Sequence, residues 1–186
     1  AGVVDQTKLI EVAGINRKTA VAYENLLSNL FILDVVPSWF TNRLKRLSQG
    51  PKRYLVEPAL AGALIDVDTD GVLNDSDLLG RLIDTFVLAQ IRAELPLCEM
   101  RPRIHHLRQD GGRREVDIII ELAGERIIAI EVKAGSNLDG RAHKHLAWLR
   151  DELGDRFLHG LVLNSGKFIE PIGDRITAAP ICALWG

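Results

Sequence analysis

The residues best suited to chemistry are two acids and a lysine in the stretch EVDIIIELAGERIIAIEVK, positions 115–133. Asp117 lies in the first apolar run of this stretch, and Glu131 and Lys133 lie in the second. Carboxylate oxygens are the ligands that Mg²⁺ prefers. A lysine ammonium can stabilise negative charge that develops on a phosphate or on an attacking water. Together these side chains indicate metal-dependent hydrolysis, provided that the fold brings them together.

A β-hairpin would bring them together. The two apolar runs flank Ala123-Gly124-Glu125, a short turn with glycine at its centre. A hairpin symmetric about Gly124 places Asp117 opposite Glu131, on the same face as Lys133. The other face carries apolar side chains and predicts a core surface: Val116, Ile118, Ile120, Ile128, Ile130 and Val132. Opposed carboxylates repel by up to about 1 kcal/mol, which a divalent cation would offset; the alternative is a hairpin whose charged ends are merely solvated.

A further acid, Asp84, lies two turns into a predicted helix over Ser76–Leu95. Helical projection places Asp84 among apolar residues and away from the polar stripe of this helix. A buried charge without a partner is costly, so we expect a cation or a hydrogen-bond donor beside it.

Short elements over residues 1–65 predict a winged-helix domain. Asn16 is expected to cap its second helix. The predicted elements are helices over Lys8–Val12, Arg17–Leu30 and Pro58–Leu64 and strands over Phe31–Val36 and Arg53–Glu57. An acidic linker is expected over 66–77.

Residues 78–186 predict a second domain of α/β or α+β type, so that the expected fold class is mixed α/β. Its predicted elements are helices over Ser76–Leu95 and His143–Leu153 and strands over 104–107, 115–122, 126–133, 158–164 and 180–185.

Basic residues cluster in two runs, Asn42–Arg53 and Arg101–Arg114. Each run alone is typical of a solvated loop, but two in one near-neutral chain favour a nucleic-acid surface. We expect one basic surface on the winged helix, formed by Arg17, Lys18, Arg43, Lys45 and Arg46.

The acidic segment follows the spacing of a calcium-binding EF-hand loop at Asp66, Asp68, Asp70, Gly71 and Asp77. Aspartate replaces the usual final glutamate, and an acidic linker explains the composition equally well. A calcium site in this segment is therefore left open.

Histidines and tryptophans give weaker signals. His105 and His106 alternate along a strand, so we expect one buried and one exposed. His143, Lys144 and His145 lie on the helix after Lys133, where solvated helix surface is favoured over a phosphate contact. The tryptophans occur in apolar settings and indicate core or domain contacts: Trp39, Trp148 and Trp185.

Composition limits the class of protein. The chain has 186 residues, 47% hydrophobic and 26% charged, with a net charge of −2, which excludes wholesale disorder. No apolar run reaches the roughly 18 residues of a membrane helix, and no signal peptide is evident. Cys98 and Cys182 form no disulfide framework, so a reducing, cytoplasmic setting is expected. The first residue is not Met, which suggests a piece of a longer protein.

Asp117, followed after thirteen residues by Glu131-Val132-Lys133, resembles the PD-(D/E)XK nuclease signature. That resemblance implies that Asp117 and Glu131 bind Mg²⁺ and that Lys133 assists phosphodiester hydrolysis. It also implies a restriction-endonuclease-like mixed sheet and a helix acid that supports the metal, for which Asp84 stands where glutamate is usual. Valine precedes Asp117 where the signature has proline.

A wider resemblance is carried by TAVAYENLLSNLFILDVV, GRLIDTFVLAQI, REVDIIIE, IIAIEVKAG and LHGLVLNSG. These segments are similar to the C-terminal portion of predicted bacterial and archaeal AAA+ ATPases. The resemblance implies nucleic acid and a preceding ATPase domain as partners, and a homo-oligomer is possible. The chain has no P-loop motif and hence no ATP site of that kind. The resemblance implies an Mg²⁺-dependent nuclease-like domain; the alternative is a non-catalytic module that binds DNA or docks on and regulates the ATPase.

Overall fold

The computed structural model describes residues 6–41, 50–138, 140 and 142–185. Its α-helices are α1 Gln6–Ala13, α2 Arg17–Asn29, α3 Pro58–Leu64, α4 Thr69–Asn74, α5 Ser76–Glu94 and α6 Lys144–Leu153. Its strands are β1 Leu33–Val36, β2 Lys52–Leu55, β3 Arg103–Gln109, β4 Arg114–Glu121, β5 Ile127–Val132, β6 Phe157–Asn164, β7 Glu170–Gly173 and β8 Ile176–Pro180.

The N-terminal elements follow the predicted order. Asn16 caps α2, since its side chain accepts a hydrogen bond of 2.9 Å from the Thr19 backbone N–H. Gly14 separates α1 from α2 with a φ of 63°, a conformation that favours glycine. β1 and β2 pair antiparallel, with Leu33 opposite Leu55. These elements follow one another along the chain in the predicted order. Their arrangement as a winged helix stays a prediction.

The acidic segment is helical where a linker loop was predicted. Asp68 caps α4 through a 2.8 Å hydrogen bond from the Gly71 backbone N–H, and Asp75 caps α5 through the N–H groups of Asp77 and Leu78. Aspartate is among the best N-cap residues, so the acidic spacing reflects two successive helix starts. The loop that an EF-hand requires is therefore not formed over Thr69–Asn74.

A six-stranded sheet in the order β3-β4-β5-β6-β8-β7 organises the rest of the chain. β5, β6 and β8 run parallel, whereas β3–β4, β4–β5 and β7–β8 pair antiparallel. The predicted mixed α/β fold class is therefore confirmed.

Helices cover both faces of this sheet. The core on the α5 side includes Tyr54, Val87, Leu88, Ile118, Ile130 and Leu163. The core on the α6 side includes Val116, Ile119, Ala129, Leu146, Leu149 and Phe157. Only one apolar face was predicted for the hairpin, because residues on the second face were interpreted as a polar surface.

A β-bulge in β4 changes which face each residue uses. His105 pairs with Ile119, and Leu107 pairs with Val116, so two residues of β4, Asp117 and Ile118, oppose one residue of β3. Val116 consequently packs on the α6 side, and its predicted place on the same face as Ile118 is wrong.

The C-terminal strand lies earlier than predicted. Residues 176–180 form β8, whereas the chain over Ile181–Trp185 is a 3₁₀ helix, so the predicted strand over 180–185 is wrong beyond Pro180. Proline lacks the N–H that a strand needs and so ends the pairing. β7 is a short edge strand that was not predicted, because it contains Pro171 and proline argues against a strand. Across the described ranges, no helix has the length and apolarity to span a membrane.

Candidate carboxylate–lysine site

The β4–β5 hairpin has the predicted register. Ile118 pairs with Ile130 and Glu121 with Ile127, and both sums are 248. The turn places Gly124 at a φ of 75°, as its central position requires. At the open end of the hairpin, Asp117 uses its side chain in place of a backbone pair: its Oδ2 accepts a 3.0 Å hydrogen bond from the Val132 N–H.

A lysine from the N-terminal part of the chain completes this end of the sheet. The Lys52 Nζ lies 2.7 Å from Asp84 Oδ2 and 3.2 Å from Asp117 Oδ1. β2 supplies Lys52, α5 supplies Asp84 and β4 supplies Asp117. Lys52 is only 4% exposed, so its ammonium is held by these carboxylates with little help from water. The cation expected beside Asp84 is therefore part of the chain itself.

The charges of this cluster shift its pKa values. Burial alone would lower the pKa of Lys52, but the carboxylates of Asp117 and Asp84 outweigh burial and raise it. Burial, together with the Asp117 carboxylate, raises the pKa of Asp84 to about 6 despite the Lys52 ammonium. Lys52 therefore stays charged, while Asp84 takes up a proton in mildly acidic solution.

Two buried oxygens border the cluster without a hydrogen bond inside the described ranges. They are Asp84 Oδ1 and the Tyr54 hydroxyl. Tyr54 is two residues after Lys52 on β2, and the Lys52 Nζ lies 5.2 Å from the centroid of its ring. Burial raises the pKa of Tyr54, so its hydroxyl remains protonated.

Glu131 belongs to a second, neighbouring cluster. Its Oε2 accepts a 3.1 Å hydrogen bond from Lys133 Nζ, and its Oε1 lies 3.7 Å from His145 Nδ1. The same Nδ1 lies 2.6 Å from the Glu115 carbonyl oxygen. Burial raises the pKa of Glu131, and the contact with Glu131 raises that of His145.

The two carboxylates of the predicted metal pair take their partners from opposite sides of the sheet. Asp117 bonds to Lys52, which packs with α5, whereas Glu131 contacts His145 of α6. The bulge at Asp117 and Ile118, which period-2 alternation does not anticipate, accompanies this difference in partners. The Asp117 carboxylate nevertheless contributes to the raised pKa of Glu131, and a metal site shared by the two acids stays a prediction.

A polar cleft of about 370 Å³ opens on the Lys52 cluster from the α5 side. Besides Lys52 and its two carboxylates, it is lined by Arg81 and Arg108. Arg81 donates to Asp77 Oδ2 at 2.8 Å, and Arg108 lies 3.9 Å from Glu115. Asp77 and Glu115 also line it, so four acids and three bases nearly balance the charge of its described lining.

The predicted basic surface is only partly described. Arg17 and Lys18 are exposed in the first turn of α2. Arg43, Lys45 and Arg46 lie outside the described residues. The second basic run is divided by the fold: Arg108 lines the cleft, and Arg114 stacks on Trp148 at 4.4 Å.

The histidines differ from prediction. His105 and His106 are both buried, because both faces of the sheet are covered and because the chain at Ser38 pairs beside His106. Burial lowers the pKa of His106 to about 4. On α6 it is His145, not His143, that reaches the site.

The tryptophans agree with prediction in part. Trp39 is fully buried and donates to Glu121 at 3.1 Å. Trp148 packs partly buried against the α6 side of the core. Trp185 is half exposed, with its ring 5.7 Å from that of Phe86.

Sequence reasoning missed Lys52 as a site residue, because it was assigned to a solvated basic run. The sequence did contain a signal. Lys52 and Tyr54 are two residues apart and therefore share one face of a short strand, and a strand face that carries tyrosine is often buried.

The arrangement does not fit a metal as it stands. The Lys52 ammonium lies between Asp84 and Asp117. Among the residues that the structure describes, no group of three His, Cys, Asp or Glu side chains is placed to hold a metal ion.

Two family models match this chain. A family model described as "Domain of unknown function (DUF4143)" matches residues 79–184, more than half of the chain, and "Domain of unknown function (DUF8612)" matches residues 1–71. DUF4143 domains occur in AAA-ATPase-associated proteins.

The chain is similar to two uncharacterized mycobacterial proteins, from Mycobacterium bovis and Mycobacterium tuberculosis. Each is 28% identical over 163 residues, which is 87% of this chain but 34% of the relative. The chain thus spans about a third of the length of these curated relatives. No solved structure matches it significantly.

Proposed function

This chain belongs to the DUF4143 family, and we propose that it is a non-catalytic docking and regulatory module of an AAA-type ATPase-associated protein. One observation carries the proposal: Lys52 bridges Asp84 and Asp117. An ammonium from the chain itself lies between the helix acid and the strand acid, where the nuclease resemblance implies a metal.

This internal cation is hard to displace. A buried ammonium that loses its carboxylates, or carboxylates that lose their ammonium, destabilise a fold by about 3–5 kcal/mol. Mg²⁺ also gives up its water ligands reluctantly. Glu131, which would be the second strand ligand, is engaged by Lys133 and faces His145 instead. A stable internal ion network therefore accounts for these acidic residues without a metal.

The docking role is supported by an apolar stripe on α2. Tyr23, Leu26, Leu27 and Leu30 recur at helical spacing, yet all are exposed, and Phe31 after the helix is 81% exposed. Contiguous apolar surface of this kind usually marks an interface. The relatives carry about twice as much further polypeptide as the matched region. We assign the stripe to that further polypeptide in the full-length protein.

The first experiment tests whether the site is closed to metal. Thermal unfolding of this chain is measured with and without millimolar Mg²⁺ or Mn²⁺, and cleavage of supercoiled and single-stranded DNA is assayed in parallel. We expect no metal-dependent rise in Tm and no cleavage. Lys52→Met is compared with Lys167→Met, because Lys167 is an exposed lysine outside the site. A rise in Tm with Mg²⁺ only in Lys52→Met would identify Lys52 as the group that excludes the metal.

The second experiment tests docking. Hydrogen exchange of the full-length protein is compared with that of this chain alone. Slower exchange in α2 of the full-length protein is expected, and Leu30→Asp should remove the difference. Equal exchange in α2 of both proteins would contradict the docking assignment.

A second candidate is an Mg²⁺-dependent nuclease acting on nucleic-acid phosphodiesters. It is favoured by Glu131 Oε1, which is buried next to Lys133 and has no hydrogen bond to any described residue, and by Arg81 and Arg108 in the cleft. This function requires Lys52 to leave Asp84 and Asp117. Metal-dependent cleavage by the unaltered chain that is lost in Lys133→Ala would replace the docking proposal with this one.

A further inference from the structure

A second cavity, separate from the Lys52 cluster, lies between the C-terminal end of α5 and the start of β3. Its volume is about 610 Å³, within the range of small-molecule sites. Three of its lining residues are arginines, Arg92, Arg101 and Arg103, and His105 lies at its wall. No aspartate or glutamate is among its described lining residues. Arg92 pairs with Asp34 and His105 lies 3.3 Å from Glu121, so the positive charge of the cavity comes from Arg101 and Arg103.

Two of these arginines are not used by the fold. Arg101 and Arg103 are exposed and make no hydrogen bond or ion pair through their side chains within the described ranges. Arg92 pairs with Asp34 through Nε, so its charge is partly neutralised. Arg101 has a φ of 46°, uncommon for a residue with a side chain, and its backbone N–H donates to the Cys98 carbonyl at 3.1 Å. A tight turn thus fixes the place from which its guanidinium extends.

The rest of the cavity is mainly apolar. Leu95 and Ile104 line it, together with three prolines, Pro37, Pro96 and Pro102. A guanidinium offers paired N–H donors that match the oxygens of a phosphate. The two guanidiniums without a carboxylate partner, those of Arg101 and Arg103, suit a doubly charged head group, and the apolar walls suit a flat or hydrophobic body attached to it.

We propose that this cavity binds an organic phosphomonoester of about the size of a nucleoside monophosphate. The phosphate contacts Arg101 and Arg103, and the base or another apolar body packs on Leu95 and Ile104. The phosphate belongs either to a free nucleotide or to the 5′ end of a nucleic-acid strand, since both present the same group. This site does not depend on whether the Lys52 cluster binds a metal.

The test uses a fluorescent nucleoside monophosphate, mant-AMP, titrated with this chain and followed by fluorescence anisotropy. We expect saturable binding that unlabelled AMP reverses, and at least tenfold weaker binding of mant-adenosine, which lacks the phosphate. Arg101→Gln and Arg103→Gln should each weaken mant-AMP binding about tenfold, because each removes a charge-assisted hydrogen bond. Arg113→Gln is the matched control, because Arg113 is an exposed arginine of the same basic run outside the cavity; it should change binding less than twofold.

Competition separates the two sources of phosphate. A 5′-phosphorylated oligothymidylate that displaces mant-AMP at lower concentration than AMP assigns the site to strand ends, and the reverse order assigns it to free nucleotide. Equal displacement by the 5′-hydroxyl oligonucleotide would overturn the proposal. It is also overturned if mant-AMP does not bind at millimolar concentration, or if both arginine variants bind like the unaltered chain while their Tm values show that they are folded.

Discussion

The Nζ of Lys52 lies 2.7 Å from Oδ2 of Asp84, so a strand of the N-terminal part neutralises a buried acid in the helix that covers the sheet. The same ammonium reaches Asp117 at 3.2 Å. β2, α5 and β4 are thereby joined at one point. Because the contact also lies at the candidate site, a substitution of Lys52 changes both the stability of the fold and the properties of the site.

Lys52→Met should lower the free energy of unfolding by about 3–5 kcal/mol at pH 7, because it leaves two carboxylates facing each other in a buried site. Chemical denaturation measures the loss. Lys167→Met should change stability by less than about 0.5 kcal/mol, since its side chain is exposed. A Lys52→Met/Asp84→Asn double variant should regain part of the loss, and no recovery would contradict the pairing.

Asp117→Asn should lower the free energy of unfolding by about 1–3 kcal/mol, because the amide can still accept from Val132 but no longer offsets the Lys52 charge. The like-charge repulsion expected from the sequence predicts the opposite sign. Asp151→Asn is the control, at a side chain that is 68% exposed. A stabilised Asp117→Asn variant would indicate that Asp117 faces another acid more closely than it faces Lys52.

The stability of the chain should depend on the protonation of Asp84 between about pH 4 and 7. The folded-state pKa is raised to about 6 from an ordinary value of 3.8, so the folded chain binds more protons in this window than the unfolded chain. The contribution of Asp84 to the free energy of unfolding therefore falls as pH rises through it, by about 1–3 kcal/mol in total.

Denaturation of the unaltered chain and of Asp84→Asn at several pH values isolates this contribution. The stability of the unaltered chain relative to the variant should decrease from pH 4 to pH 7. A relative stability that increases over the same range would mean that Lys52 dominates and that the pKa of Asp84 is lowered.

His145 should titrate above its ordinary pKa of 6.5, because its protonated form is favoured by Glu131. The stability that this contact adds is fully present below about pH 6.5 and is lost as pH rises through the folded-state pKa. An NMR titration of the imidazole protons measures this directly, and Glu131→Gln should lower the midpoint for His145. A His145 midpoint that is unchanged in Glu131→Gln would contradict the contact between the two residues.

Local chemistry in the sequence determined much of the fold. Asn16 as a helix cap, Gly124 as the centre of a hairpin, and the runs of β-branched residues in β4 and β5 act through short-range geometry, which is why these elements were predicted at nearly the right bounds. The mixed α/β class follows from the order of these elements and is confirmed.

Only the tertiary structure decided what the acidic residues face. A single bulge at Asp117 shifts the alternation of β4, and so separates the partners of Asp117 from those of Glu131. Lys52 is 65 residues from Asp117 in sequence, and no local pattern relates the two. The sequence alone determines which charges the chain contains, but their pairing in a dry interior depends on long-range packing, because a buried charge is stable only beside the partner that the fold brings to it.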